Sequence, residues 1–337
     1  MGSLSRGEPG GAQSAIEPMD PAAAAELAGR FRANIERALR GKSEVVRRAV
    51  EAFVSGGHLL LEDVPGVGKT TLARALARSV DATFRRIQFT SDLLPSDVLG
   101  AALPELREGR PTGEFVFQPG PLFAQVVLAD EINRASPKTQ SALLEAMSEG
   151  SVTLDGRTHR LPEPFFVIAT QNPAEHHGTN PLPESQLDRF RARLRLGYPD
   201  AADEAAVLRD DPAVRTLPEL LPVLSVPEVL AMRAAAERVK LDDAVIGYLL
   251  AIVGETRNHD AVHVGVSPRG ALALRRAAQA RALVDGRDFC IPEDVRELAV
   301  DVLSHRIVVD PRGAGSRGGE EGEWIVREIL EQVPVPL

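Results

Sequence analysis

Residues 59–70 read Leu59-Leu60-Leu61-Glu62-Asp63-Val64-Pro65-Gly66-Val67-Gly68-Lys69-Thr70, an apolar run that passes directly into a glycine-rich turn and then into a helix-forming stretch. This order predicts a phosphate-binding loop between a strand and a helix. Gly66 and Gly68 allow backbone N–H groups to turn inward around a polyphosphate, and the helix that follows adds its own unpaired N-terminal donors. Lys69 has the reach for the β and γ phosphates, and Thr70 supplies a hydroxyl for Mg²⁺. Asp63 stands where the pattern G-x-x-x-x-G-K-[ST] has its first glycine, a departure eased by the tolerance of Asp for left-handed backbone. The expected ligand is a nucleoside triphosphate, ATP, contacted by Asp63, Pro65, Gly66, Val67, Gly68, Lys69, Thr70 and Thr71.

Outward from this loop, β-like runs at His58–Leu61, Arg86–Phe89, Val126–Ala129 and Pro164–Ala169 alternate with helical patterns. Alternation of that kind predicts an α/β domain with a doubly wound parallel sheet, whose functional groups gather at the carboxyl ends of the strands. Ahead of it, Phe31, Ile35 and Leu39, then Val46, Val50 and Phe53, recur at helical spacing on either side of Gly41. From about Asp200 the pattern becomes wholly helical. The division expected is a tail over 1–20, a nucleotide-binding domain over 21–199 and a smaller all-helical lid over 200–337. The Gly-rich acidic stretch Pro311–Glu323 is expected to lie in solvent.

Composition narrows the function classes. The 337 residues, 44% hydrophobic and 26% charged, suit an ordinary globular chain of about two domains. A net charge of −9 and 4% aromatic content argue against a broad nucleic-acid face. One cysteine, Cys290, excludes an internal disulfide framework and fits a reducing compartment. Neither an apolar signal core nor a bilayer-length run is present, so the expected location is cytoplasmic.

The strand Val126-Val127-Leu128-Ala129 ends in Asp130-Glu131. Beside a phosphate loop, two adjacent carboxylates divide the work: Asp130 holds Mg²⁺ through its water shell, and Glu131 orients the attacking water. The next strand ends in Thr170-Gln171-Asn172-Pro173, where Asn172 is placed to hydrogen-bond that water or the γ-phosphate. Charge developing on the γ-phosphate calls for further cations. Arg189, in Gln186-Leu187-Asp188-Arg189-Phe190, is a candidate to project onto a neighbouring subunit's nucleotide. Arg269 follows Ser267-Pro268, an N-cap and first-turn proline. A cation there opposes the helix dipole by up to about 1 kcal/mol unless an anion is close. The pair His176-His177 lacks a third ligand at metal-binding spacing and reads as loop.

These phrases, with Asp130-Glu131-Ile132-Asn133-Arg134-Ala135 and Gly197-Tyr198-Pro199, resemble the MoxR family of AAA+ ATPases, from about Phe31 to the C-terminus. The resemblance implies Walker A at Gly66, Gly68, Lys69 and Thr70, Walker B at Asp130 and Glu131, sensor 1 at Asn172, an arginine finger at Arg189 and sensor 2 at Arg269. Ala101–Pro119 and Gly150–Leu161 are placed to be the family branch's insertion and hairpin. The implied activity is ATP hydrolysis by a self-associated ring, commonly a hexamer, that remodels or activates a client. Frequently that client carries a von Willebrand factor A domain, and metal-enzyme maturation is a recurring outcome. Competing readings are the ATPase subunit of a metal chelatase, an MCM-like nucleic-acid motor, disfavoured by the acidic and apolar Glu114–Gln118 segment, and a non-hydrolysing nucleotide switch, disfavoured by the full set of site residues.

Overall fold

A computed structural model describes residues 16–107, 110–172, 179–310 and 320–336. Most of the expected tail, His176-His177 and residues 311–319 of the acidic stretch therefore lie outside the described residues. The elements run α1 (Pro21–Glu36), α2 (Ser43–Val54), β1 (His58–Glu62), α3 (Lys69–Arg78), β2 (Phe84–Gln88), α4 (Pro95–Leu99), β3 (Gly100–Arg107) and β4 (Arg110–Pro119). They continue with β5 (Val126–Asp130), α5 (Pro137–Glu149), β6 (Ser151–Leu154), β7 (Arg157–Arg160), β8 (Phe166–Gln171), α6 (Glu184–Leu187), β9 (Phe190–Leu194) and α7 (Ala201–Asp210). The C-terminal part holds α8 (Val226–Arg238), α9 (Asp243–Asn258), β10 (Val262–Val264), α10 (Pro268–Val284), α11 (Pro292–Leu303), β11 (Val308–Val309) and α12 (Glu321–Gln332).

Five strands pair in parallel in the order β2-β5-β8-β1-β9. In β1, β5 and β8 the side chains alternate between two cores. Leu59, Leu61, Val126, Leu128, Phe166 and Ile168 face one core, shared with α1, α2 and the C-terminal helices. Leu60, Val127, Ala129, Val167 and Ala169 face the other, shared with α5 and the start of the β6–β7 hairpin. Strands buried on both faces read as continuous apolar runs, which is why β1, β5 and β8 are visible in sequence.

One strand went unread and one reading needs correction. Phe190–Leu194 is the fifth strand, at the sheet edge beside β1, although Phe190-Arg191-Ala192-Arg193-Leu194 carries an arginine at every second position. Its arginines lie on the face that meets polar partners rather than water, a distinction alternation cannot make. The lid is also not wholly helical, because β10 and β11 pair antiparallel through Val262↔Val309 and Val264↔Val308.

Helix starts follow local chemistry. Asp20 accepts from Ala22 N at 2.9 Å and sets α1 at Pro21. Ser225 and Glu228 form a reciprocal box for α8, and Ser267 accepts from Gly270 N at 3.2 Å to open α10. Ala101–Pro119 lies within a two-stranded antiparallel hairpin, β3–β4, and Gly150–Leu161 spans a second, β6–β7. Leu103, Phe115 and Val116 stand exposed on the first.

Candidate active site

The loop between β1 and α3 owes its shape to two glycines. Gly66 and Gly68 have φ of 87° and 104°, conformations that side chains strain. At Gly68 a Cβ would also lie 2.9 Å from Leu39 Cδ1. Asp63 solves its position differently from the sequence expectation. The left-handed non-glycine residues among those described are Glu131, Asp155 and Asp211, so Asp63 needs no such tolerance. Its carboxylate accepts from Val64 N at 2.7 Å and from Gly197 N at 2.6 Å, tying the loop to the segment that leaves the sheet. Lys69 Nζ donates to the carbonyls of Asp63 and, at 3.2 Å, of Gln171.

These residues open onto a cavity of about 340 Å³, lined by Pro65, Gly66, Gly68, Lys69, Thr70, Thr71, Asp130, Glu131 and Asn172. Val67 turns its side chain into the core, leaving only its backbone to the loop. Asp130, at the end of β5, is held from two sides: Thr170 Oγ1 donates to Oδ1 at 2.6 Å, and Arg86 Nη2 pairs with Oδ2 at 2.7 Å. Glu131 takes a left-handed turn at φ 59°, which lifts its carboxylate off the strand line. Gln88 Nε2 donates to Glu131 Oε2 at 2.9 Å, Arg134 Nε lies 3.2 Å from the same oxygen, and Glu131 N donates to Thr170 Oγ1 at 2.9 Å. Asn172 is buried at the tip of β8, its carbonyl 3.5 Å from Asn133 Nδ2.

Sequence reasoning missed Arg86, Gln88 and Thr170. A signal existed for the first two, since polar residues two apart on a strand share a face, and the register sets Gln88 opposite Asp130. Glu62 was missed as well. It is buried at the end of β1, accepts from Gln171 Nε2 at 2.6 Å and pairs with Arg193 at 3.1 Å. Arg193 reaches Glu323 of α12 at 3.2 Å, and Arg195 reaches Glu320 at 2.6 Å. The end of the stretch expected in solvent, Glu320–Glu323, is therefore docked on the sheet edge by ion pairs.

Arg189 and Arg269 are not in this cavity. Both line a second one of about 230 Å³ where the C-terminal end of α5, the start of β9 and α10 meet. Arg189 Nη1 donates to Leu144 O at 2.7 Å and Ser148 Oγ at 2.6 Å. Arg269 Nη2 lies 3.4 Å from Ser148 Oγ, and its Nε is 3.9 Å from Asp188, the anion that offsets the unfavourable dipole position.

A strand–loop–helix phosphate cradle facing paired carboxylates and a polar strand tip is the arrangement of a P-loop ATPase. Residues 58–192 match the family described as ATPase family associated with various cellular activities (AAA), and residues 254–329 match the AAA lid domain. The chain is 40% identical over 311 residues to chaperone MoxR1 of Mycobacterium tuberculosis, covering 90% of this chain and 80% of that one. The chain belongs to the MoxR family of AAA+ ATPases. Another relative, the uncharacterized protein YeaC of Bacillus subtilis, is 49% identical over 92% of this chain and 95% of its own. A crystal structure of a Cytophaga hutchinsonii protein superposes with a TM-score of 0.83 at 34% identity, covering 94% of this chain and 97% of the other. As a MoxR AAA+ ATPase the chain binds nucleotide and hydrolyses ATP, and its kind assembles into rings. Among the described residues no helix is long and apolar enough to cross a membrane.

Proposed function

We propose that this chain is a chaperone-like motor, cytoplasmic and one subunit of a hexamer, whose ATP sites are completed across subunit boundaries and whose turnover remodels a client protein. The observation that carries it is the separation of Arg189 and Arg269 from the cavity that holds Lys69, Asp130 and Glu131. Two arginines gathered away from their own phosphate loop are suited to another subunit's nucleotide. This reading gives Arg269 the same trans role as Arg189.

In this reading the backbone donors of 65–70 and Lys69 hold the β and γ phosphates, Glu131 orients and polarises water, and Asn172 positions it against the γ-phosphate. Gln88 and Arg134, which hold the Glu131 carboxylate here, set its direction until substrate competes for it. A hydroxyl at Thr70 beside the Asp130 carboxylate is an oxygen donor set fitting Mg²⁺ with retained waters. Bound there, Mg²⁺ would neutralise charge on the β and γ oxygens. Arg86 would then share Asp130 with the hydrated ion. A trans arginine is worth about 10³–10⁵-fold in rate, so isolated subunits turn over slowly.

The client class follows the family resemblance: a von Willebrand factor A domain protein or a metalloenzyme under maturation. Nucleic acid is disfavoured by the net charge of −9. Steady-state ATPase against protein concentration, wild type beside Arg189→Ala, tests the assembly. Specific activity should rise with concentration, and Arg189→Ala should flatten the rise while still binding ATP. Activity independent of concentration and indifferent to Arg189 would end the trans reading.

A further inference from the structure

The cavity holding Arg189 and Arg269 carries more cations than these two roles explain. Five guanidiniums line it, from Arg189, Arg191, Arg269, Arg276 and Arg306, against the single carboxylate of Asp188. That carboxylate is engaged by Arg306, whose Nε sits 2.7 Å from Asp188 Oδ1, with the rest of the group donating to the carbonyls of Phe190, Arg191 and Val302. Arg306 is therefore a structural cation.

Of the others, Arg269 has a long 3.9 Å contact to the same carboxylate. Arg191 makes two long contacts of 3.4 Å to the carbonyls of Ala273 and Ser55, and its buried Nε has no hydrogen-bond partner among the described residues. The buried Nε of Arg189 likewise has no partner among the described residues. Arg276 has no carboxylate within ion-pair distance among the described residues. Burial, then the like charges of Arg306, Arg276, Arg233 and Arg269, push Arg191 down to about 9. Arg269 and Arg276 stand exposed, so the cost falls on Arg191 and Arg189, whose Nε atoms are buried, and a multiply charged anion in the cavity would offset it.

Arg276 lies on the same face of α10 as Arg269. They are seven residues apart, two turns or about 10 Å along the axis, with Leu272 and Ala273 between them on the cavity wall. Arg269 and Arg276 thus present two long, flexible side chains from one helix face to the same cavity, with Arg189 approaching from the start of β9.

We propose that Arg276 is a third trans phosphate-binding residue, contacting the polyphosphate of the neighbouring subunit's ATP beside Arg189 and Arg269. This rests on the trans reading above. A charge-assisted contact of this type is worth about 10- to 100-fold in affinity.

The test uses the full chain, with Arg276→Ala and Arg276→Lys beside Arg189→Ala. Above the concentration at which activity rises, Arg276→Ala should raise the KM for ATP about tenfold or more while lowering kcat far less than Arg189→Ala does, and Arg276→Lys should recover part of the loss. Binding of a fluorescent ATP analogue by dilute, unassembled subunits should match wild type. Wild-type KM and kcat for Arg276→Ala, alongside a collapsed rate for Arg189→Ala, would overturn the role of Arg276 and leave the trans reading standing. If neither substitution changes turnover, the trans reading itself fails and this inference with it. Loss of assembly by Arg276→Ala without nucleotide, seen by sedimentation, would make the residue an interface contact and also overturn the proposal.

Discussion

Glu131 leaves β5 in a left-handed turn and has its carboxylate held by Gln88 and Arg134, while its backbone N–H rests on Thr170. Because the side chain stands at the cavity edge and not among the backbone donors of the loop, Glu131→Gln should keep nucleotide binding and lose about 10²-fold or more in turnover. Lys69→Ala should instead lose binding. Nucleotide titration and phosphate release measured on both variants separate the two roles, and undiminished turnover in Glu131→Gln would remove it as the water-orienting group. A second residue, His58, is buried with Nε2 3.0 Å from Met147 O and Nδ1 accepting from Val167 N at 3.0 Å. Burial chiefly, aided by Arg233 and Arg191, lowers it to about 4. The unfolded chain binds that proton more readily, so its contribution is complete above pH 6.5 and is lost as pH falls toward 4, about 2 kcal/mol of it by pH 5. Asp301, pushed up to about 6 mainly by burial, acts in the opposite sense. The diagnostic is therefore the difference in urea midpoint between pH 7 and pH 5: the drop should be smaller in His58→Gln than in wild type, and equal drops would refute the assignment.

At the scale of elements, the carboxyl end of β1 joins the phosphate cavity to the lid. Gln171, whose carbonyl accepts from Lys69, donates to Glu62; Glu62 pairs with Arg193, and Arg193 with Glu323 of α12. Removing one partner leaves buried charge uncompensated, so Glu62→Ala should cost about 3 kcal/mol, at the low end for a buried pair because Glu323 remains for Arg193. Chemical denaturation measures it, and a change under about 0.5 kcal/mol would place the network among inconsequential surface pairs. The strands β1, β5 and β8 were legible because both their faces are buried, and the hairpin β6–β7 was expected only from the family resemblance. β9 was not legible: Arg191 and Arg193 look solvent-facing until the lid and Glu62 are seen to cover them.

For the whole molecule, a site divided between subunits has a consequence that neither single variant reveals. On the trans reading proposed above, Glu131→Gln lacks its own water-orienting carboxylate but still offers Arg189, while Arg189→Ala lacks that arginine but keeps Glu131. Mixing the two inactive proteins should restore ATPase activity at the interfaces that pair an intact Glu131 with an intact Arg189. A mixture as inactive as its parts would argue that both residues serve one subunit's nucleotide. The phosphate-side half of the site was readable residue by residue, since loop, carboxylates and strand tip are each contiguous in sequence. The arginine half was read as Arg189 directed at a neighbouring subunit and Arg269 with no stated direction.

The amino-acid order by itself determined the phosphate loop, the Asp130-Glu131 and Asn172 strand ends, and hence the nucleotide chemistry, because each depends on local backbone geometry and on side chains at a strand's end. Tertiary structure alone decided the partners that hold those groups, Arg86, Gln88, Thr170 and Gly197, and the separation of Arg189 and Arg269 from Lys69. Those relations are set by strand register and by the packing of α10 against β9 and α5. They join residues tens of positions apart, which no local pattern encodes.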